Sequence, residues 1–158
     1  MTLILSAALW QQALGELRVP PHNRERVAYL DGPKIPGPLA VATTLTIPNA
    51  DAHEGYFDVP PEEMSLAGRH LKAFDMRRLA QIHTHPFGWV GHSEYDDERA
   101  FSQREGAISI VVPHFAACAP GVFECGLHLR GPNGWYEPSG EERLALIRIV
   151  PALIDMRP

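Results

Sequence analysis

The sequence predicts an α+β protein, a layer fold in which helices and strands mix without the strict alternation of βαβ units. Three observations carry this. Ala40 to Ile47 (AVATTLTI) is β-branched and alternating, the pattern of a half-buried strand. Ala107 to Val112 (AISIVV) is a continuous apolar run, as expected of a strand buried on both faces. Between such segments lie stretches with apolar residues at helical spacing, beginning near the N-terminus and recurring after Pro60-Pro61.

The elements follow in order. Residues 1–18 read as an N-terminal helix with Leu3, Ala7, Trp10, Leu14 and Leu17 on its apolar face, ended by Val19-Pro20-Pro21. A first strand is expected near Glu25 to Leu30, then a Gly/Pro-rich turn over residues 31–38. The second strand is Ala40 to Ile47, and the polar stretch from Asn49 to Asp58 reads as a surface loop. A helix starts after Pro60-Pro61, with Glu62 and Glu63 in its first turn and Leu66, His70, Leu71 and Phe74 beyond. A short strand, Leu79 to Thr84, precedes Pro86, which cannot donate to a ladder. Ser93 then opens a helix expected to reach about Glu105. After Ala107 to Val112, strands are expected at Phe123 to Arg130 and Trp135 to Glu137 across a Gly131-Pro132-Asn133-Gly134 turn, and a closing helix over 141–150. At 158 residues the chain is expected to form one domain, 1–158, with a proper core.

Chemistry concentrates in the segment IHTHPFGWVGHSEYD. On a strand His83 and His85 point to the same face. After seven intervening residues comes Ser93, and three further on Asp96, at a helix start where the dipole favours carboxylates. Two imidazoles and a carboxylate are ligand types that zinc prefers, and three protein ligands plus water is the layout of a catalytic site. The plain alternative is that Ser93 and Asp96 form only a helix cap, with His83 and His85 simply exposed.

The string HTHP, followed after seven residues by Ser-x-x-Asp, resembles the JAMM (MPN+) metalloprotease signature. That family also requires an upstream Glu on an early strand, in a pattern like Glu-x-x-small-x-Leu-x-Gly. Glu25 to Gly32 (ERVAYLDG) fits, with Ala28 at the small position; the rival carboxylates are Glu16, Asp31, Glu54, Glu62 and Glu63. The resemblance, from about Glu25 to Trp135, implies a mixed β-sheet wrapped by helices, in the cytidine-deaminase-like arrangement of JAB/MPN domains. It implies that His83, His85 and Asp96 hold Zn²⁺ with a water in the fourth position. Glu25 would be general base and then acid, and Ser93 an oxyanion donor. Because ligands must be deprotonated, metal and activity are expected to be lost at acidic pH.

The family's compact members imply a substrate: a ubiquitin-like protein or its conjugates, cut after the modifier's C-terminal tail. They also imply E1/E2-like enzymes as pathway partners, in some bacterial cases within antiphage systems. Trimming of a sulfur-carrier protein needs the same site and is the alternative enzyme reading. Members that lost their ligands are scaffolds, but all the motif residues stand here.

Composition narrows the classes. A net charge of −5 argues against a nucleic-acid partner, since phosphate binding wants a basic face. That also disfavours a DNA-repair protein with a similar His-x-His-Pro motif. No run is long enough to span a membrane, and the first ten residues lack the basic start of a signal peptide. Cys118 and Cys125 could pair, but buried reduced thiols fit better, and with them a cytoplasmic protein. Of the remaining residues, His92 reads as a loop histidine, Trp89 as either a substrate contact or a cap on the core edge, and Arg77-Arg78 as a solvated helix end. His22 and His53 have no evident partner.

Overall fold

The computed structural model describes residues 1–157. Its centre is a six-stranded mixed sheet in the order β10-β9-β8-β7-β2-β4. These strands are Thr44–Thr46 (β4), Val27–Pro33 (β2), Met76–Thr84 (β7), Ile108–Val112 (β8), Gly126–Gly131 (β9) and Gly134–Tyr136 (β10). Only β7 and β8 run parallel; the other neighbours are antiparallel. β8 is buried at every position, as its unbroken apolar sequence requires.

A second, all-parallel sheet has the order β11-β1-β3, formed by Ile147–Val150, Thr2–Ser6 and Leu39–Ala42. Helix α1 (Ala7–Leu17) packs Trp10, Ala13, Leu14 and Leu17 into a core shared with Leu3, Leu5, Leu30, Ile82, Ile110 and Leu127. The mixed sheet with flanking helices thus matches the expected class.

Element boundaries differ from the sequence reading at several places; the strand expected from Phe123 starts only at Gly126, because Val122–Glu124 form a 3₁₀ turn, and four further differences have local reasons. The N-terminal helix begins only at Ala7, because Leu3 and Leu5 alternate inward as a strand and Ser6 then caps α1, its Oγ accepting from Leu9 N at 3.1 Å. The expected strand Ala40 to Ile47 breaks at Thr43, whose N–H donates to Asp31 O, so its two halves join different sheets. Helix α4 (Gly140–Leu146) stops early, and the β-branched run from Ile147 to Val150 becomes β11 beside β1. The helix after Ser93, α3 (Glu94–Arg99), is also short of Glu105: Ala100 turns extended and Phe101 N donates to Gln81 Oε1 at 3.2 Å.

Smaller corrections follow. The Asn49 to Asp58 stretch holds a hairpin, β5 (Asp51–Ala52) and β6 (Phe57–Asp58), rather than only a loop. Arg77 and Arg78 lie within β7, and Arg78 is paired with fully buried Asp31 at 3.1 Å. Cys125 is buried as expected, whereas Cys118 is exposed; both are free. Helix α2 (Pro61–Ala73) forms where its prolines placed it, yet buries only Ala67. No helix is long and apolar enough to cross a membrane among the described residues.

Candidate metal centre

Register places the site. Val27 opposes His83 and Ala28 opposes Ile82 across β2 and β7. Ala28 and Ile82 therefore face the main core, while Val27, Tyr29, Gln81 and His83 share the other face. Phe57 of the hairpin covers that face, its ring 5.4 Å from the His83 ring. Thr84 pins the end of the strand: its N–H donates to Arg26 O at 3.0 Å and its Oγ accepts from Arg26 N at 2.9 Å. Glu25, just before β2, donates its N–H to His53 O at 2.6 Å, so the β5–β6 hairpin fixes it beside the histidines. His53, without a partner in the sequence reading, stacks on Tyr56.

The third ligand arrives on α3. Ser93 caps it, accepting from Asp96 N at 3.1 Å, while Asp96 Oδ2 accepts from Ser93 N at 2.8 Å and from Ser93 Oγ at 2.7 Å. The cap and ligand readings are therefore compatible, since the cap is what holds the Asp96 carboxylate in position. In this arrangement the Ser93 hydroxyl proton points at Asp96.

His83, His85 and Asp96 present ligand atoms that all lie within 4.8 Å of one another, and all three residues are buried. Asp96 Oδ1 is 3.3 Å from His83 Nε2, and Oδ2 is 3.3 Å from His85 Nε2. Ligands about 2.0–2.1 Å from a tetrahedral ion stand roughly 3.4 Å apart, so these separations fit a metal. His83 Nε2 is buried with no hydrogen-bond partner, an orphan that a metal would satisfy. His85 Nδ1 donates to Trp89 O at 3.2 Å, which leaves Nε2 free to ligate.

The electrostatics are those of a dry, coupled cluster. Burial raises the Glu25 carboxyl to about 7, against a lowering by His85 and with a further rise from Asp96. Burial would raise Asp96 too, but His83, His85 and the Ser93 N–H hold it well below the usual carboxylate range. Burial pushes His83 down, keeping its imidazole neutral and ready to ligate. Burial also opposes charge on His85, yet Asp96 and Glu25 outweigh it and raise that histidine.

Supporting residues emerge that the sequence reading missed. His92 lies in the loop as expected, but its side chain is largely covered: Nδ1 donates to Asp97 at 2.8 Å and its ring stacks on His128 at 4.0 Å. His128 Nε2 donates to Val90 O at 2.9 Å, and a Cβ at Gly126 would overlap that same carbonyl. Together they hold the loop between the ligands. Trp89 does not cap the core; it is 59% exposed and stacks on His85, ring centroids 5.2 Å apart. Glu25, Gly55, His85, Phe87, Trp89, Ser93 and Asp96 line a cleft of about 200 Å³. Of the rival carboxylates, Asp31 is engaged by Arg78 and Thr46, and only Glu25 lines this cleft.

No family model matches the chain. A stretch of 58 residues, 37% of the chain, is 43% identical to a Sinorhizobium fredii protein described as "Probable metalloprotease y4jG". The match spans 35% of that protein's length. Two solved structures are similar over nearly the whole chain. Protein DSY2949 from Desulfitobacterium hafniense aligns with a TM-score of 0.71 at 19% identity, covering 96% of this chain and 95% of that one. AF2198, a JAB1/MPN domain protein from Archaeoglobus fulgidus, aligns with a TM-score of 0.53 at 17% identity, covering 94% and 97%. The chain therefore has the fold of the JAB1/MPN domain proteins, and it carries on that fold the residues of the JAMM signature.

Proposed function

We propose that the chain is a zinc-dependent peptidase that cleaves an amide or isopeptide bond at the C-terminal tail of a ubiquitin-like protein. The observation that carries the hydrolase reading is the buried His83, His85 and Asp96 cluster, with His85 and Asp96 opening onto a cleft that Glu25 also lines. The partial match to a probable metalloprotease supports the same class. Zinc held there supplies a water whose pKa falls to about 7 and a Lewis acid for the scissile carbonyl.

The chain's own residues do the rest. Glu25, whose carboxyl burial raises in the metal-free chain, takes a proton from the attacking water and returns it to the leaving amine. Ser93 rotates its hydroxyl from Asp96 toward the carbonyl oxygen and donates to the developing oxyanion. The Trp89 carbonyl keeps the His85 proton on Nδ1. The ubiquitin-like substrate and its E1/E2-like pathway partners rest on the signature's family, and a cytoplasmic setting rests on the two free cysteines.

The test is cleavage of ubiquitin-like reporters with a C-terminal amide or isopeptide bond, using zinc-loaded wild type beside Glu25→Gln. Cleavage by wild type alone supports the proposal and the role of Glu25. Equal cleavage by both removes Glu25 as the base. A zinc-loaded wild type that cuts no ubiquitin-like reporter, yet cuts unrelated peptides, overturns the substrate.

A further inference from the structure

Helix α2 is underpacked. Of its thirteen residues only Ala67 is buried, while Leu66 is 41% exposed, and Phe74 just beyond the helix is 73% exposed. Beneath it lies a cavity of about 650 Å³ between the helix, the start of β7 and residues 101–107. Met64, Leu71, Leu79 and Phe101 give it apolar walls. A second hollow of about 400 Å³ shares Met64 and Phe101 with the first, but it carries Asp58, Glu98 and Arg99 and runs toward Phe57, so the groove of interest is the first cavity alone. A helix of this length ordinarily buries a full apolar stripe, so the groove is surface that the described residues do not cover.

Its charge is opposite to that of the whole. The chain carries −5, yet Arg77, Arg78 and Arg104 line the cavity against one carboxylate, Glu105. Arg78 is neutralised from behind by Asp31 and lies over the Tyr29 ring. Arg77 and Arg104 meet no carboxylate among the described residues: Arg77 reaches only the Met1 sulfur, 3.8 Å from Nη2, and its Nε is buried without an acceptor. On α2, Arg69 and Lys72 follow directly on Gly68 and Leu71, which line the cavity.

We propose that this groove docks an acidic, amphipathic peptide segment of a partner protein, its apolar side chains entering between α2 and Phe101 and its carboxylates meeting Arg77 and Arg104. The apolar walls supply the burial and the free guanidinium groups supply the sign. Arg77 stands six residues before His83 on one strand, about 20 Å away, so the surface is separate from the metal cleft. A partner held here would leave the cleft free to act on it or on an attached chain. The inference does not depend on the hydrolase reading.

The experiment is a fluorescence-anisotropy titration of the full chain with a short labelled peptide in which leucine and phenylalanine alternate with glutamate. The control peptide carries lysine in place of glutamate. Saturable binding of the acidic peptide, weakened tenfold or more by Arg77→Glu with Arg104→Glu, is the expected result. Gly68→Glu is a second variant, since a Cβ there meets nothing within 4 Å; it too weakens binding. Both variants keep the wild-type melting temperature and zinc content. No saturable binding, equal binding of the basic peptide, or binding indifferent to all three substitutions overturns the proposal.

Discussion

The two ends of β7 are built on opposite plans. At its C-terminal end, Gln81 to His85 are all buried, and each polar group is held by a neighbour or, at His83 Nε2, left for an ion. At its N-terminal end, Met76 to Arg78 are only part-buried, α2 lies loosely above them, and two arginines face an open groove. One strand thus joins a preorganised, dry site to an adaptable surface. The difference teaches that stability and chemistry are concentrated at one end, so substitutions of equal size at the two ends should differ greatly in effect.

The largest effect is expected from the ligands. Zinc in hundredfold excess over its dissociation constant stabilises the folded chain by about 2.7 kcal/mol, and His85→Ala should abolish that zinc-dependent rise in melting temperature. Equal rises in wild type and variant, read by calorimetry, would place the ion elsewhere.

Next is Glu25→Gln, which should cost about 10²–10⁴-fold in kcat while zinc content stays at one per chain. The pH dependence follows from the raised carboxyl. As a base, Glu25 must be ionised; the value of about 7 belongs to the metal-free chain, and a bound dication favours the carboxylate, so activity of the zinc-loaded chain should climb with pH at values below about 7. In metal-free protein the sign for stability is opposite. A carboxyl raised from 4.5 to about 7 binds its proton more tightly when folded, so stability is lost as pH rises across that window. Glu25→Gln should flatten this slope; an unchanged slope in chemical-denaturation curves would show that another group carries it.

Ser93→Ala is a sharper probe because it removes two functions. Loss of the oxyanion donor should lower kcat by about 10²-fold, and loss of the cap should cost about 1 kcal/mol. A fall in stability with kcat unchanged would leave Ser93 as a cap alone.

A last pair of substitutions, which leaves the chemistry untouched, should separate the two ends of the strand. Ile82→Ala, fully buried beside the ligands, should cost about 2–5 kcal/mol, whereas Leu71→Ala in the part-filled groove should cost about 1 kcal/mol or less. Comparable losses in urea titrations would mean that α2 is packed as tightly as the core.

The metal end was the more legible in sequence. His83, His85, Ser93 and Asp96 are local in the chain, and a period of two followed by a cap signature states their geometry directly. Glu25 was legible only through the pattern around it, since strand pairing brings it to His85 across about sixty residues. Gly126, His128 and Asp97 were not legible at all: what they support is a loop distant in sequence, and nothing in their own neighbourhoods marks it. Two of the boundary errors, at the N-terminal helix and the closing helix, share one cause. Leu3 to Trp10 and Glu141 to Val150 each join a strand to a helix within ten residues, and apolar spacing alone does not divide them. The parallel β1–β11 pairing that settles the matter joins the two termini.

X-ray absorption at the zinc edge of the zinc-loaded chain tests the central claim most directly. The account predicts one zinc per chain bound by two imidazole nitrogens and by oxygen, with the signal altered in Asp96→Ala. A chain that takes up no zinc at neutral pH, or zinc bound by sulfur from Cys118 or Cys125, would contradict it.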